Sequence, residues 1–418
     1  MTRWLPPQVN YELMNFVRAC IPIKAAWLLL KPHANALIDL SLRQQLGFTA
    51  VDEQQWAEDP QEYIRATTDV LEELVSQRHS ASALIRELCW NRAATCLVPT
   101  FEMCERVCCD YREGRCVPQD KDGALMCVGL IASLLGQAGG SAQLLRFARE
   151  HVMPEFQSAK GYLRSRACWV MGTLAEMLGE DATLLNEAMA CVVALLRDPE
   201  LPVSFQAALS IRSLIFDEAS LGPRPLAAHA VQGVLPNVLD EMFRLMDAIG
   251  SDELMACLEK LIQTFASSMA PFAEGLAQRI SEQLVRLLRS SRESEGVSDE
   301  EEFEAIFAAS QCLSALVSLT RALRESPEMH ALMQSLLVPM LLRMLPSGGI
   351  GEVDEEEDTS LMGQELAEDV LELSKALTDT PHPLSEAVLS ILPPIVQVCF
   401  SPRSCSALFF ACIAVILL

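Results

Sequence analysis

Similar apolar helical faces recur along this chain of 418 residues, and the two that begin at Leu163 and Val203 have identical internal spacing and lie 40 residues apart. Five predicted helices carry such a face: Leu163, Ala167, Met171 and Leu174; Val203, Ala207, Ile211 and Leu214; Ala124, Val128 and Ile131; Leu254, Leu258, Ile262 and Phe265; Ala308, Cys312, Leu316 and Leu319. A single helix pair cannot bury such a stripe, so neighbouring pairs must stack into a solenoid. The period lies in the HEAT and armadillo range, and HEAT fits best.

Prolines supply a second recurring marker, because an apolar residue followed by proline is expected to open the first helix of each unit. These prolines are Pro32, Pro99, Pro154, Pro236, Pro271, Pro339 and Pro394. Proline is tolerated in the first turn because the amide it lacks has no intrahelical partner there. The segment from Asp198 to Ile215 also follows the common HEAT order, although Ser204 stands where a basic residue is usual.

The composition agrees with an all-α fold. Half of the residues are apolar and only 6% are aromatic, and runs of alternating polar and apolar residues are hard to find. The chain exceeds the size at which a single core stops growing. We predict an all-α HEAT-repeat superhelix over residues 1–400 and an apolar tail over 401–418. The uncharged end of that tail, 407–418, is too short to span a bilayer, which needs about 20 residues, so no membrane is expected as a partner.

The formal net charge of -24 argues against direct binding to nucleic acid, which needs a basic surface to displace counterions from phosphates. A basic partner is favoured. The alternative is that the acidity only keeps a large chain soluble.

Two acidic segments, Ser294 to Glu304 and Gly348 to Ser360, are predicted to be extended loops. Their like charges repel one another, and both segments also contain Gly and Ser. They are interpreted either as solvated linkers or as acidic arms that attract Lys/Arg-rich cargo. The candidate cargo-binding residues are Asp299, Glu300, Glu301, Glu302, Glu304, Asp354, Glu355, Glu356, Glu357 and Asp358.

Neither a metal site nor a catalytic site is predicted. The fifteen cysteines show no paired C-x-x-C spacing and fall in apolar runs, which indicates reduced thiols in a cytosolic or nuclear compartment. The one cluster, Cys104, Cys108, Cys109 and Cys116, contains no histidine. The six histidines are scattered and no phosphate-binding Gly motif occurs, so no cofactor and no enzyme chemistry are expected.

The stretch WAEDPQEYIR, Trp56 to Arg65, contains a helix start. Asp59 is the expected N-cap, Pro60 suits the first helical position, and Glu62 is expected to complete a capping box. We expect Trp56 to pack as an apolar anchor in the groove between repeats. Arg65 and the distant Arg166 are expected to pair with acids of neighbouring repeats.

This stretch resembles the signature of the importin-β superfamily, specifically its importin-seven/eight branch, and the exportin CAS branch carries a looser version. The matching signature residues are Trp56, Glu58, Asp59, Pro60, Glu62, Tyr63, Ile64 and Arg65. Further blocks match in the family's order: LKPH from Leu30, KDGAL from Lys121, HVMPEF from His151, GYLRSRACWV from Gly161 and RDPELPVSFQAAL from Arg197.

The resemblance implies a nuclear transport receptor without enzyme activity. Such a receptor would bind basic cargo such as ribosomal proteins or histones on its concave surface and Phe-Gly nucleoporins on its convex one. Release of cargo by the Ran GTPase, and movement between cytoplasm and nucleus through the nuclear pore, are implied as well. The family's N-terminal Ran-binding repeats should precede Leu5 and have no counterpart here, so we expect a fragment or a truncated product.

Two alternatives stay open at this point. One is a CAS-like exportin, whose cargo is importin-α and whose binding requires RanGTP. The other is a HEAT scaffold outside transport, such as a phosphatase or complex-assembly subunit, which should have no affinity for Phe-Gly peptides.

Overall fold

The computed structural model describes residues 7–68, 76–249, 251–293, 299–345, 366–379 and 384–395. The chain divides into two compact units, Met1–Ile249 and Gly250–Leu418. The helices of the first unit are α1 Pro7–Cys20, α2 Lys24–Leu30, α3 Ala34–Ser41, α4 Ala50–Glu58, α5 Pro60–Thr68, α6 Gln77–Asn91, α7 Ala93–Arg112, α8 Pro118–Leu135, α9 Ser141–Phe147, α10 Gly161–Thr173, α11 Ala175–Leu178, α12 Ala182–Leu195, α13 Leu201–Ile215, α14 Pro225–Gln232 and α15 Leu235–Ile249.

The first unit is a stack of helical hairpins. Helices α1, α6, α8, α10 and α13 pack side by side in that order, and α7 and α12 cover them as the partners of α8 and α13. Short 3₁₀ or π-helical turns connect several helices: Lys31–His33, Leu42–Leu46, Gly136–Gly140, Ala148–Val152 and Met153–Gln157. Gly139 lies in the turn Gly136–Gly140, and its φ of 87° falls in the left-handed region that glycine adopts without strain.

The second unit repeats the same design. Its helices are α16 Asp252–Thr264, α17 Ala273–Glu293, α18 Asp299–Leu323, α19 Pro327–Met344, α20 Ala367–Thr378 and α21 Glu386–Leu389, with 3₁₀ turns at Ala266–Ser268 and Ala270–Phe272. Helices α16, α18 and α20 pack side by side, while α17 packs on α18 and α19. Both units are therefore all-α arrays of the HEAT type, as predicted.

The apolar faces that defined the repeat line these inner helices. Every residue of the five faces is buried except Ala308, which is half-buried on α18. Residues spaced three and four apart lie on one side of a helix, so each face buries itself against the neighbouring hairpin. In the described part of the chain, strand structure is limited to a two-stranded antiparallel ladder, β1 Phe216–Asp217 with β2 Gly222–Pro223.

The proline marker is partly wrong. Pro32, Pro154 and Pro271 lie in 3₁₀ turns that precede helices, and Pro236 lies in the first turn of α15. Pro99 and Pro339, however, lie inside α7 and α19. Packing of these helices against their neighbours outweighs the hydrogen bond that each proline removes. The prolines found at helix starts include others: Pro118, Pro202, Pro225 and Pro327.

The first acidic segment was predicted to be an extended loop through Glu304, and this is wrong for its second half. The backbone is helical from Asp299 onward, as the start of α18. Glutamate is a good helix former, and acids in the first turn interact favourably with the helix dipole. The second acidic segment and the tail 401–418 lie outside the described residues.

Two helical stretches in the described residues, Pro118–Gln157 and Ala305–Leu323, are long and apolar enough to cross a membrane by length and composition. In each, about half of the apolar window is buried inside the fold, 50% and 56% respectively. Buried core helices of a soluble array pass the same test, so these stretches are weak evidence for a membrane.

Candidate functional site

Trp56, on α4, reaches a residue 144 positions further along the chain. Its indole Nε1 donates a hydrogen bond to Glu200 Oε2 at 2.7 Å. The ring meets Phe48 edge-on, with centroids 5.5 Å apart, and lies 4.9 Å from Tyr63. Trp56 is thus both an apolar anchor and a hydrogen-bond donor, whereas the sequence indicated only the first role.

Phe48 and Tyr162 complete an aromatic cluster around this tryptophan. Their rings stack at 4.2 Å with an interplanar angle of 8°, and both side chains are buried. Offset stacks and edge-on contacts of this kind contribute about 0.5–1.5 kcal/mol each beyond the area they bury. Burial in the cluster raises the pKa of Tyr63 to about 12, so this phenol stays neutral at physiological pH.

Glu200 is held from its other side by Arg164. Arg164 donates to Glu200 at 2.9 Å and, through two nitrogens, to Asp198 at 2.7 and 2.8 Å. Gly161 makes room for this carboxylate, because a Cβ at that position would overlap it. Arg164 comes directly after Leu163, just as Ser204 comes directly after Val203 in the next repeat. Arg164 therefore occupies the position at which a HEAT repeat usually has a basic residue, and it binds Asp198 in the turn of the next repeat.

The block KDGAL supplies a second set of contacts. Lys121 forms a buried ion pair with Glu155, 2.6 Å between Nζ and Oε1, and Asp122 accepts from Arg166 at 2.8 Å. The pairing of Arg166 with an acid of a neighbouring repeat is therefore confirmed. Gly123 allows the backbone of α8 to approach Leu42–Leu46, since a Cβ there would overlap the carbonyl oxygen of Leu42.

The helix start at Asp59 is confirmed in part. The amide of Glu62 donates to Asp59 Oδ1 at 3.0 Å, which makes Asp59 the N-cap of α5. The predicted capping box is wrong, because the Asp59 amide donates to Gln55 as the end of α4 and the Glu62 carboxylate accepts from Arg65. Arg65 forms an ion pair with Glu62 within its own helix, α5.

A capping box does form one helix earlier. The Thr49 hydroxyl accepts from the Asp52 amide at 3.1 Å while Asp52 accepts from the Thr49 amide at 2.7 Å. Arg78 then binds the same carboxylate of Asp52 at 2.5 Å and the carbonyl of Gly47 at 3.3 Å. The start of α4 is fixed to α6 in this way.

Blocks that are scattered over 150 residues of sequence therefore meet in one region of the first unit, which we call the junction. Sequence reasoning identified the blocks but missed which residues pair, namely Phe48 with Tyr162, Trp56 with Glu200, and Lys121 with Glu155. Of the other signature residues, Ile64 is buried and Glu58 is exposed and accepts from Gln54 at 3.1 Å.

Residues 299–304 form the start of α18, and their side chains lie outside the described part of the chain, as do residues 354–358 entirely. Their assignment as cargo-binding residues stays a prediction.

The thiols and carboxylates of the described residues do not gather into a group of three that could hold a metal ion. Cys104 and Cys108 are buried, and burial raises the pKa of the Cys108 thiol to about 12. A thiol that stays protonated is a poor nucleophile and a poor ligand.

No family model matches the chain. It is 27% identical over 394 residues to "Importin beta-like SAD2 homolog" of Arabidopsis thaliana, covering 93% of this chain and 36% of that protein. It is 26% identical over 399 residues to "Probable importin-7 homolog" of Dictyostelium discoideum, covering 93% and 35%. Mouse importin-8 is 26% identical over 294 residues, covering 70% and 28%. The chain thus spans about a third of the length of these curated relatives, and none of the three names describes an enzyme.

Solved structures agree on the fold. Lph2, a bidirectional nuclear transport receptor of S. cerevisiae, superposes with a TM-score of 0.69 at 14% identity, over 98% of this chain and 40% of that one. Yeast importin-β, Kap95p, gives 0.57 at 16% identity over 98% and 43%, and a structure of Kap95p bound to Ran gives 0.55 at 14% over 98% and 47%.

These likenesses define the fold as the HEAT-repeat array of the karyopherins. The chain is likewise similar in sequence to relatives named as importins, at 26–27% identity over 70–93% of its length, so it resembles the importin-β superfamily in both sequence and fold.

Proposed function

We propose that this chain is part of a nuclear import receptor, an importin that carries basic proteins between cytoplasm and nucleus. The observation that carries the proposal is its alignment, over 93% of its length, with relatives named as importins. Stacked helical hairpins supply an extended binding surface and no chemistry of their own, which is the design a carrier needs.

The cargo that suits this surface is positively charged. A formal charge of -24 favours partners rich in Lys and Arg, and ribosomal proteins or histones are suitable probes of that class. Attraction of this kind is screened beyond about 8 Å at physiological ionic strength, so the affinity should fall steeply with added salt.

Replacing Asp354, Glu355, Glu356, Glu357 and Asp358 by Ser is expected to weaken histone binding at least about tenfold at low salt, because it removes five negative charges from one arm. We choose this arm because replacing 299–304 would also alter the start of α18. The measurement is titration calorimetry at two salt concentrations. A matched control replaces five exposed glutamates elsewhere: Glu102, Glu176, Glu180, Glu328 and Glu386.

Equal weakening in the control variant would show that net charge alone attracts the cargo. Unchanged affinity in the arm variant would remove the arm from the mechanism.

RanGTP is expected to release cargo from a receptor in which this chain is joined to the family's N-terminal Ran-binding repeats, because an import receptor binds its passenger and RanGTP in competition. The proposal is supported by the similarity to Kap95p, which has been solved with Ran. A pull-down with and without RanGTP measures the effect. Cargo gained with RanGTP, with importin-α as the passenger, would instead favour the CAS-like exportin.

A second pull-down uses beads that carry immobilised Phe-Gly peptides, because a receptor that crosses the nuclear pore should bind such peptides. Absence of binding to those peptides, with cargo binding intact, would favour a HEAT scaffold outside transport.

A further inference from the structure

Residues 49–68, which we call the strap, contact helices of several consecutive hairpins. Phe48, just before the strap, stacks on Tyr162 of α10, and Trp56 donates to Glu200 at the start of α13. Further along, Gln61 Nε2 donates to the carbonyl of Ala248 on α15 at 2.8 Å. Repeats of a solenoid ordinarily contact only their neighbours along the chain. The strap instead ties helices α10, α13 and α15 together from one side.

The base of the strap is firmly attached. The capping box of Thr49 and Asp52 sets the direction of α4, and Arg78 binds both Asp52 and the Gly47 carbonyl. The backbone at Gly47 also lies directly against Gln119 of α8, so closely that a Cβ would not fit. This end of the strap is therefore anchored by charge-assisted hydrogen bonds and by close backbone packing.

The far end is held by much less. Helix α4 contributes no fully buried side chain and α5 contributes one, Ile64, while Val51 is 74% exposed. The described contacts of this end include the ring cluster, the hydrogen bond of Gln61 and the hydrogen bond from Trp56 to Glu200. A segment with so little buried apolar area belongs to the low-stability end of a fold and opens before its surroundings.

The acceptor of that bond does not depend on the strap. Arg164 holds Glu200, and the absence of a Cβ at Gly161 leaves space for its carboxylate. Glu200 therefore stays in place whether or not Trp56 is docked.

We propose that the strap is a releasable brace whose latch is the hydrogen bond from Trp56 to Glu200. When the latch is closed, the strap fixes the spacing of α10, α13 and α15. When it opens, these helices can shift against one another while each hairpin stays folded. Small shifts between neighbours add up along a stack, so the latch sets the curvature of the first unit. This proposal does not depend on the identity of a cargo.

The test is hydrogen exchange of the full chain, followed by mass spectrometry, on the Trp56→Phe variant. Phenylalanine keeps a six-membered ring in the cluster but removes the five-membered ring of the indole together with its N–H. Amides of α4 and α5 are expected to exchange about tenfold faster, as suits loss of a hydrogen bond to a charged group, while α6 and α7 keep their rates. The matched control is Trp90→Phe, at a tryptophan that is 67% exposed and outside the cluster.

Three results would contradict the proposal that the strap is a releasable brace. The strap could exchange at its original rate in Trp56→Phe, Trp90→Phe could accelerate it equally, or all helices of the first unit could accelerate together. In the last case the strap would be an ordinary part of one cooperative core.

A second variant identifies the partner of the latch. Glu200→Ala should accelerate the same amides, and the effects of Glu200→Ala and Trp56→Phe should be less than additive in the double variant, because both changes remove the bond from Trp56 to Glu200. Additive acceleration in the double variant would mean that Trp56 and Glu200 act separately and would contradict the latch.

Discussion

Replacing Lys121 by Met is expected to lower the free energy of unfolding of the first unit by about 3–5 kcal/mol. The lysine and its partner Glu155 are nearly inaccessible, with 4% and 7% of their side chains exposed. Removing the ammonium leaves the Glu155 carboxylate buried without its counter-charge. The ammonium also lies 4.8 Å above the ring of Tyr111, and this cation–π contact is lost as well. Urea unfolding monitored by circular dichroism measures the loss.

Removing both charges should restore most of that stability. In a double variant, Lys121→Met with Glu155→Leu, no unpaired charge is left behind, and apolar side chains of similar volume replace a pair whose desolvation is costly. A double variant no more stable than Lys121→Met would contradict this account of the single change.

The exposed pair of Arg149 with Asp181 is the control. It joins the π-helical turn Ala148–Val152 to the N-cap of α12 over a similar separation in sequence, with nitrogen and oxygen 2.7 Å apart, but 45% of the arginine side chain is exposed. Solvent screens such a pair, so Arg149→Met should cost about 0–1 kcal/mol. Equal losses at Lys121 and Arg149 would show that burial does not decide the cost.

The array itself could be predicted from the sequence because its signal is local. Residues such as Leu163, Ala167 and Met171 share one helix face by spacing alone, and the recurrence of the face after about 40 residues requires stacking. Burial of these side chains follows from the same period. The N-cap at Asp59 was likewise predictable, since a cap involves only the next three residues.

The junction could not be predicted, because its pairs are distant in sequence: 144 residues separate Trp56 from Glu200, and 34 separate Lys121 from Glu155. Nothing next to Trp56 indicates an acceptor at Glu200, and nothing next to Phe48 indicates a ring at Tyr162. Such contacts depend on how far each hairpin rotates against the next, which a single sequence does not encode in any local pattern. Only the family blocks marked Trp56, Tyr162 and Glu200, and Phe48 lies outside those blocks.

Two local signals pointed to the wrong structure. A run of acids such as 299–304 is compatible with an extended arm by charge and with a first helical turn by propensity, and the backbone follows the second. Pro99 was expected at a helix start but lies inside α7, where burial of Leu97, Phe101 and Met103 stabilises the helix around it.

Replacing Gly123 by Ala is expected to destabilise the first unit by about 1–3 kcal/mol, although alanine is the better helix former. A Cβ at this position of α8 would overlap the carbonyl oxygen of Leu42 and lie 3.2 Å from the amide nitrogen of Gly47. Both obstacles are backbone atoms, which cannot rotate away as a side chain can. Helix α8 would have to move from the π-helical turn Leu42–Leu46, and the aromatic cluster that begins at Phe48 would move with it.

Gly275, a glycine of α17 with no atom within 4 Å of its Cβ position, is the control. There alanine should gain up to about 1 kcal/mol, because it reduces the backbone entropy lost on folding and meets nothing. Hydrogen exchange reports the two units separately, with faster exchange in α8 for Gly123→Ala and slower exchange in α17 for Gly275→Ala. If both changes stabilised their helices, the close approach of α8 to Leu42 would not exist in solution. The contacts that we assign to the junction would then be wrong, because they depend on this approach.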